Sequence, residues 1–245
     1  MSVFKPVGVL GGMGPQATIL LQQRIVDAVQ ADDDGAHVPL LVDMNPQVPS
    51  RLSWLLENKG EDPAPTLIKM ARRLEHAGAQ ALVMPCNTAH HFASQIAAAV
   101  EIPFIDMVSH SAQRVSKFCS AGDRVGILAS PATDKVKLFK KALSSHQLSD
   151  VYPMDQIGMQ ASILSIKSNG VTESDRAILA TNSRNLEKSG ASCLLVGCSE
   201  FSLITDAIDV DIPVIDTLDV LVNEILNFSI GGSGYGNPVK ITQNY

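Results

Sequence analysis

An internal repeat constrains the fold of this chain more than any other feature of its sequence. The segment Leu194–Cys198 echoes Ala81–Cys86, and Ile212–Asp216 echoes Ile102–Asp106 almost letter for letter. The two cysteines lie 112 positions apart and the two aspartates 110 positions apart, so both echoes have nearly the same offset. We therefore predict that the chain folds as two similar halves.

Apolar runs and helical patterns alternate along both halves. This order predicts an α/β fold, because strand–helix–strand connections place parallel strands in one sheet with helices on its faces. We expect two similar lobes, each a parallel sheet flanked by helices, related by a pseudo-twofold axis with the active site between them. In the first half the predicted strands are Val7–Leu10, Val38–Met44, Ala81–Met84 and Pro103–Met107, and the predicted helices are Gln16–Val29, Thr66–Ala77 and Thr88–Val100.

The repeat also sets the expected boundaries of the lobes. Residues 1–107 with 216–228 are predicted to form the first lobe, and residues 108–215 the second. The first lobe carries an insertion around Asn45–Pro65, and its last helix is expected over Asp219–Phe228. Residues 229–245 are rich in Gly and Ser and are predicted to be a loose C-terminal tail.

Composition favours a small-molecule enzyme or binding protein. The 245 residues carry a formal net charge of −6, which excludes the basic footprint of a nucleic-acid-binding protein. No apolar run approaches the ~20 residues that span a bilayer, and the first residues do not resemble a signal peptide. We therefore expect a soluble, cytoplasmic protein without nucleic-acid or membrane partners, and a homodimer as the commonest assembly.

The repeated cysteines, Cys86 and Cys198, are the strongest candidates for catalysis. Each is predicted to close an apolar strand and open a helix, at the sheet edge where α/β proteins bind ligands. The positive end of a helix would lower the pKa of a thiol there. Cys119 and Cys193 have no partner in the repeat and are predicted to be buried structural thiols. The polar residues after the repeated pair are expected to cap the two helices; they are Asn87, Thr88, Ser199 and Glu200.

Two thiols on opposite sides of one cleft suit racemisation in particular. The reaction needs a base on one face of the α-carbon and an acid on the other. The negative charge that develops on the substrate carboxylate must be stabilised by nearby donors. Arg51 is a candidate for that task, because it follows two prolines in a stiffened loop and its planar guanidinium can hold a carboxylate through two hydrogen bonds.

Several segments together resemble the aspartate/glutamate racemase family, specifically its aspartate racemase branch. The similarity covers roughly residues 4–228 in the right order. Ser50 stands where that branch commonly has Asp, and Ser199 where it commonly has Thr. The segments that carry the resemblance are Leu10–Pro15, Asn45–Arg51, Lys59–Pro63, Pro85–His90 and Gly197–Glu200.

The resemblance implies an amino-acid racemase that interconverts L- and D-aspartate, with glutamate left open. It implies that Cys86 and Cys198 are the catalytic acid and base, without pyridoxal phosphate or a metal. It also implies that Arg51 grips a substrate carboxylate and that Lys167 is a second cationic partner. The remaining substrate-binding positions that it implies are Met13, Gln47, Asn87, Thr88, Thr133, Ser199 and Glu200.

Two other functions remain open from the residues alone. The turn Gly12–Ala17 fits the glycine pattern of NAD-binding oxidoreductases, although Asp43 lies later than the usual ribose-binding acid. A non-catalytic protein that binds a dicarboxylate would also use two lobes and two cations. A metal site at His90 and His91 is disfavoured, because adjacent side chains on a helix point about 100° apart.

Overall fold

The chain divides into two compact units. The computed structural model describes residues 4–31 and 33–231, so residues 232–245 of the predicted tail lie outside the described part. Residues 4–107 with 218–231 form the first unit, and residues 108–217 form the second. Within the described residues, no helix has the length and apolar character needed to cross a membrane.

The first unit contains a parallel sheet of three strands. The central strand β1 (Val7–Gly11) pairs with β2 (Leu40–Met44) on one side and β3 (Ala81–Val83) on the other. The predicted fourth strand over Pro103–Met107 is wrong, because pairing there is limited to a single parallel bridge between Leu82 and Phe104. The chain then turns into a helix at Met107.

Helices and one apolar core complete the first unit. The core combines inward residues of β1 and β3 with residues of the first and last helices. All of these core residues are fully or nearly fully buried. The last helix extends to Ile230, past the predicted end at Phe228. The helices are α1 (Pro15–Ala28), α2 (Ala64–His76), α3 (Ala93–Ala97), the start of α4 (Met107–Val115) and most of α9 (Thr217–Ile230), with a π-helical segment over Ser53–Glu57 and 3₁₀ turns over Asp34–Ala36 and Thr88–Phe92.

The second unit repeats this arrangement with four parallel strands. β4 (Arg124–Leu128) lies between β5 (Ser149–Val151) and β6 (Cys193–Val196), and β7 (Val214–Asp216) pairs with β6. The predicted return to the first unit at residue 216 comes two residues later, because Asp216 pairs with Val196 in this sheet. The helices wholly within this unit are α5 (Pro131–Lys135), α6 (Leu138–Ser144), α7 (Gln156–Asn169) and α8 (Glu173–Lys188), with 3₁₀ turns over Phe201–Leu203 and Thr205–Ala207.

The packing of the two central strands shows the repeat directly. Gly8 of β1 and Gly126 of β4 both face a leucine of the neighbouring strand. A Cβ on Gly8 would lie 2.8 Å from Leu82 Cδ2, and a Cβ on Gly126 would lie 2.5 Å from Leu194 Cδ2. Any larger residue would force these strands apart, so both halves use glycine for the same reason. The predicted α/β fold with two parallel sheets flanked by helices is confirmed.

A buried carboxylate joins two helices of the second unit. Asp175 accepts hydrogen bonds from the Thr172 amide at 2.9 Å and hydroxyl at 2.7 Å. The amide bond, together with the Asp175 N–H that donates to Thr172 Oγ1 at 3.3 Å, forms the capping box of α8. Asp175 also accepts from the hydroxyls of Ser162 at 2.9 Å and Ser165 at 3.3 Å, both on α7. Burial raises the pKa of Asp175, but these hydrogen bonds outweigh it and hold the pKa below its ordinary value. Asp175 therefore fixes the helix that carries Lys167.

Replacement of Asp175 by Asn is expected to lower the free energy of unfolding by about 1–3 kcal/mol at neutral pH, because donors to a buried charge lose their acceptor. The depressed pKa means that this stabilisation is present above the ordinary Asp pKa and disappears as the pH falls through the folded value. Urea unfolding at neutral and acidic pH measures both effects. Asp209→Asn, at an exposed position, is the matched control. An equal loss in both variants would contradict the assignment.

Candidate active site

Cys86 lies at the carboxyl end of the first sheet, three residues after β3. Its backbone N–H donates to the Met84 carbonyl at 2.8 Å, which turns the chain sharply around Pro85. The residue is 8% exposed, whereas Cys193, inside a strand, is 0% exposed. The Cys86 side chain is thus buried but slightly more exposed than a thiol inside a strand. Asn87 is buried beside it and Thr88 is half-buried.

His90 holds the turn that follows Cys86. The Met107 backbone N–H donates to His90 Nε2 at 3.2 Å, so Nδ1 carries the proton and donates to the Cys86 carbonyl at 2.9 Å. Burial lowers the pKa of His90, although nearby Asp106 and the Cys86 carbonyl act in the opposite direction. The ring is therefore neutral, and both of its nitrogens are used within the fold.

The same bond explains why the predicted helix over Thr88–Val100 is only partly correct: it begins as a 3₁₀ turn over Thr88–Phe92 and is α-helical only over Ala93–Ala97. The His90 ring takes the Cys86 carbonyl that the His90 backbone N–H would bind in an α-helix. That N–H donates instead to the Asn87 carbonyl at 2.9 Å, which closes a 3₁₀ turn. The Asn87 side chain makes no capping hydrogen bond at this turn, so its predicted capping role is also wrong.

Arg51 is held by backbone carbonyls of two loops at the same edge of the sheet. Nη1 donates to the carbonyls of Val48 at 3.2 Å and Pro49 at 3.1 Å, and Nη2 donates to that of Met13 at 3.5 Å. The guanidinium is half-buried. Because its orientation is set before any ligand binds, its positive charge can receive a carboxylate without a large loss of side-chain entropy.

The other predicted residues of this loop take structural positions. Ser50 Oγ accepts a hydrogen bond from the Ser53 amide at 3.2 Å and so begins the helical segment after Arg51. The Gln47 backbone N–H donates to Asn45 Oδ1 at 3.0 Å, and Gln47 itself is exposed. The first unit therefore gathers Met13, Gln47, Arg51, Cys86, Asn87 and Thr88 on segments that follow the carboxyl ends of its strands.

The glycine turn after β1 serves the packing of this edge. Gly12 has φ +90°, and a Cβ there would lie 2.4 Å from the Asn45 backbone. Its N–H donates to Thr18 Oγ1 at 2.9 Å. Asp43, the residue that would bind a ribose in a dinucleotide site, forms an ion pair with Arg73. The donor and the acid that NAD binding would need are thus already engaged, which argues against an NAD site.

Cys198 occupies the equivalent place in the second unit. It follows β6 after Gly197, whose N–H donates to the Leu128 carbonyl at 2.9 Å. Cys198 is 7% exposed, close to the value for Cys86. Its thiol donates to Glu200 Oε2 at 3.0 Å, and Glu200 is itself buried.

Lys167 completes this cluster from α7. Its Nζ lies 3.3 Å from Glu200 Oε1, so one carboxylate contacts both the cation and the thiol. Burial raises the pKa of Cys198 well above its ordinary value, and the charge of Glu200 raises it further, while Lys167 opposes both effects. The predicted lowering of this pKa by a helix terminus is wrong, because only short 3₁₀ turns follow Cys198 and a carboxylate lies beside the sulphur.

Thr133 and Ser199 are buried at the same edge of the second sheet. Thr133 Oγ1 donates to the Ser130 carbonyl at 2.7 Å, within the turn after β4. Glu200, like Asn87, makes no capping hydrogen bond with its side chain. The second unit therefore brings Lys167, Cys198 and Glu200 into direct contact and places Thr133 and Ser199 on neighbouring turns.

The repeated aspartates have a role that the sequence did not reveal. In the second unit, Ser202 Oγ donates to Asp216 Oδ1 at 2.7 Å, and Ser202 is the fourth residue after Cys198. In the first unit, the fourth residue after Cys86 is His90, and the negative charge of Asp106 acts to raise the pKa of its ring against the larger effect of burial. Each aspartate thus acts on the turn behind its cysteine. The nearly equal offsets of the aspartates and of the cysteines were the signal for this pairing.

Cys119 differs from its predicted role as a buried thiol, because it is half-exposed. A hydrogen bond with Cys193 lowers the pKa of Cys119, against the opposing effects of burial and Asp123. Cys193 is fully buried and has a raised pKa. Cys119 therefore carries more thiolate at neutral pH than Cys198 does.

Limiting iodoacetamide at neutral pH is expected to label Cys119 at least about tenfold faster than Cys198, because the thiolate is the nucleophile and each pKa unit changes its fraction tenfold. Peptide mass spectrometry after short exposures measures both rates in the same sample. Faster labelling of Cys198 would show that its thiol is not held protonated.

Residues 10–225 match the sequence model of Asp/Glu/Hydantoin racemases. The chain belongs to this racemase family. The match spans both sheets and both repeated cysteines, so membership concerns both units and not one motif. It also makes the protein a member of a family of isomerases.

Individual members of the family resemble the chain over most of its length. The broad specificity amino-acid racemase RacX of Bacillus subtilis is 22% identical over 216 residues, which cover 86% of this chain and 92% of the relative. The structure of Picrophilus torridus aspartate racemase matches with a TM-score of 0.81 and 27% identity, over 91% of this chain and 93% of the other. A Francisella tularensis glutamate racemase has the same fold at 17% identity, with a TM-score of 0.62 and coverage of 97% and 90%.

The part of the chain that the structure describes shows no grouping of side chains that suggests a metal. Among the described residues, no three His, Cys, Asp or Glu side chains are arranged as they would be around an ion. In the second unit, the charged side chains of Lys167 and Glu200 are instead arranged beside the Cys198 thiol.

Proposed function

We propose that this racemase interconverts L- and D-aspartate by moving a proton between Cys86 and Cys198, without a cofactor. The observation that carries the proposal is the equivalent position of the two thiols, each at the carboxyl end of its sheet and each 7–8% exposed. Two thiols at the same point of two repeated units are the pair of groups that a two-base proton transfer needs. Similarity to an aspartate racemase supports the substrate.

The proposed reaction begins when one thiolate removes the α-proton. The carbanion that forms is stabilised through its carboxylate, and the other thiol then donates a proton to the opposite face of the α-carbon. The first sulphur gains the substrate proton and the second loses its own, so no net proton is consumed. The proposal requires that the two thiols reach opposite faces of one α-carbon.

Two cations support an acidic amino acid as the substrate. Arg51 is oriented by three carbonyls and is proposed to hold the α-carboxylate. Lys167 is proposed to meet the side-chain carboxylate. Glutamate differs from aspartate by one methylene, and such a difference is worth only about 1–3 kcal/mol in a pocket. We therefore propose aspartate as the preferred substrate and glutamate as a slower one.

A second candidate is racemisation of a wider range of amino acids. Lys167 is already paired with Glu200 at 3.3 Å, which neutralises part of its charge. A site with a neutralised second cation would accept neutral side chains as well. The broad specificity named for the Bacillus subtilis relative is consistent with this candidate.

Exchange of the α-proton in D2O separates these possibilities. The protein is incubated with L- or D-aspartate, L- or D-glutamate, or L- or D-alanine, and the α-proton signal is followed by NMR without added pyridoxal phosphate or metal. We expect exchange with both enantiomers of aspartate and slower exchange with glutamate. Equal rates with alanine would favour the second candidate, and no exchange with any of them would overturn the racemase proposal.

A further inference from the structure

The two thiols differ in one neighbouring carboxylate. Cys198 donates to Glu200 Oε2 at 3.0 Å, within a buried cluster. The equivalent residue of the first unit, two positions after Cys86, is Thr88, which has no charge. A thiolate at Cys198 would place a second negative charge directly beside that of Glu200. The repeat therefore gives the two cysteines equivalent backbone positions, but places a carboxylate two positions after Cys198 and a hydroxyl two positions after Cys86.

We propose that Glu200 is an additional acid–base group of this site, which holds the proton on Cys198 so that the free protein presents this thiol as the proton donor. The inference rests on the proposed two-thiol reaction and assigns the resting state of one of its partners. Lys167 holds the same carboxylate from its other oxygen, with Nζ 3.3 Å from Oε1, so Oε2 stays directed at the thiol. A charged carboxylate is in turn a strong acceptor for the thiol.

The proposal has a direct consequence for turnover. In the resting state, the protein accepts the enantiomer whose α-proton faces Cys86, since Cys198 is ready to donate. When the S–H bond of Cys198 breaks and the new C–H bond forms, the remaining thiolate faces the Glu200 charge. That repulsion favours return of a proton to the sulphur, either from solvent or from the opposite enantiomer. The site returns to its resting state when Cys86 also releases the substrate proton to solvent, and Glu200 favours the half of this exchange that protonates Cys198.

A purely structural role of Glu200 makes a different prediction. If Glu200 only anchors Lys167 to the turn after β6, its charge has no effect on Cys198 beyond local packing. Glu200→Gln keeps the size and an oxygen acceptor but removes the charge. The ionisable groups that act on Cys198 are Glu200 and Lys167, so a titration of the thiol in variants of these two residues separates the two roles.

The test follows the ultraviolet absorbance of the Cys198 thiolate against pH in full-length protein that carries Cys86→Ser and Cys119→Ser. Cys193 is silent in this background because it is fully buried in the core, and burial by itself raises the pKa of its thiol. Adding Glu200→Gln is expected to lower the midpoint of the Cys198 titration by at least about one pH unit. At any pH below both midpoints, this shift makes the thiolate fraction about tenfold larger. Adding Glu200→Asp, which keeps the charge, is expected to retain most of the high midpoint. Adding Lys167→Met to Glu200→Gln should raise the midpoint again, because the cation that favours the thiolate is gone.

Unchanged midpoints with Glu200→Gln would overturn the proposal, as would a midpoint in the parent background at or below that of an ordinary thiol. Circular dichroism and urea unfolding of each variant show that the fold is retained. This titration needs no substrate, so it can succeed or fail independently of the exchange experiment. Failure of exchange with every amino acid would overturn the proposed function and leave the state of the thiol measured.

Catalysis in the otherwise unaltered chain supplies a second readout. The two enantiomers have equal free energies, so kcat/KM must be the same in both directions in any variant. Glu200→Gln is therefore expected to change the ratio of the two KM values by about tenfold, with kcat changing in proportion, as the resting thiol form becomes less populated. A merely structural loss would lower both directions alike, and an unchanged KM ratio would contradict the proposal.

Discussion

Replacement of either repeated cysteine by alanine is expected to reduce racemisation of aspartate by at least about 10³-fold, because each variant lacks the acid or the base of the proton transfer. Chiral chromatography of the product measures this loss. Cys119→Ser is the matched control: it removes the half-exposed thiol of the second unit, and we expect it to retain activity within about twofold. Comparable losses in all three variants would mean that thiol replacement acts through the fold and not through the reaction.

The same two variants are expected to differ in the exchange that remains. A protein with Cys86 alone can still remove the α-proton from the enantiomer that presents it to Cys86, and return a solvent deuteron to the same face. A protein with Cys198 alone should do so with the mirror image. NMR in D2O measures exchange from each enantiomer separately. Residual exchange from the same enantiomer in both variants would contradict opposed thiols.

Loss of the oriented guanidinium is expected to have the second largest effect. Arg51→Met should reduce kcat/KM by about 10²–10³-fold, since truncating one partner of a hydrogen-bonded charge pair costs about 2–5 kcal/mol and each 1.4 kcal/mol is tenfold. Most of the loss should appear in KM if Arg51 binds the carboxylate equally well in the substrate and in the transition state. It should appear in kcat if Arg51 binds the carboxylate more strongly as negative charge develops in the transition state.

Two further arginine variants make this result specific. Arg51→Lys keeps the charge but loses the planar fork, so we expect it to recover only part of the activity. Arg72→Met alters an exposed arginine of the same unit, whose Nε donates to the Ala99 carbonyl, and should leave kcat/KM unchanged. Full activity in Arg51→Met would show that the substrate carboxylate is bound elsewhere.

The repeat made most of the fold predictable, because it fixed which strands correspond. The strand order β2-β1-β3 of the first unit and β5-β4-β6-β7 of the second follow the same plan. The error in the helix predicted after Cys86 arose because a side chain competes with the backbone for a carbonyl. The helix expected after Cys86 becomes a 3₁₀ turn because the His90 ring takes a carbonyl that no propensity scale assigns to it.

The direction of the pKa shift of Cys198 was predicted incorrectly for a similar reason. Sequence position suggested a helix terminus and a lowered pKa at Cys198, whereas the structure brings a carboxylate to within 3.0 Å of the sulphur. Glu200 is two residues from Cys198, but Lys167 comes from α7, more than thirty residues away in the chain. Contacts of this kind depend on how helices pack, which residue spacing does not encode.

The position of deuterium after a brief reaction in D2O tests the two-thiol mechanism most directly. Wild-type protein is given L-aspartate, and the enantiomers are separated at low conversion for mass spectrometry; the experiment is then repeated from D-aspartate. Two opposed thiols predict that the product carries solvent deuterium while the recovered starting enantiomer keeps its proton, in both directions. Deuterium in both enantiomers to the same extent at low conversion would indicate a single base and contradict the proposed roles of Cys86 and Cys198.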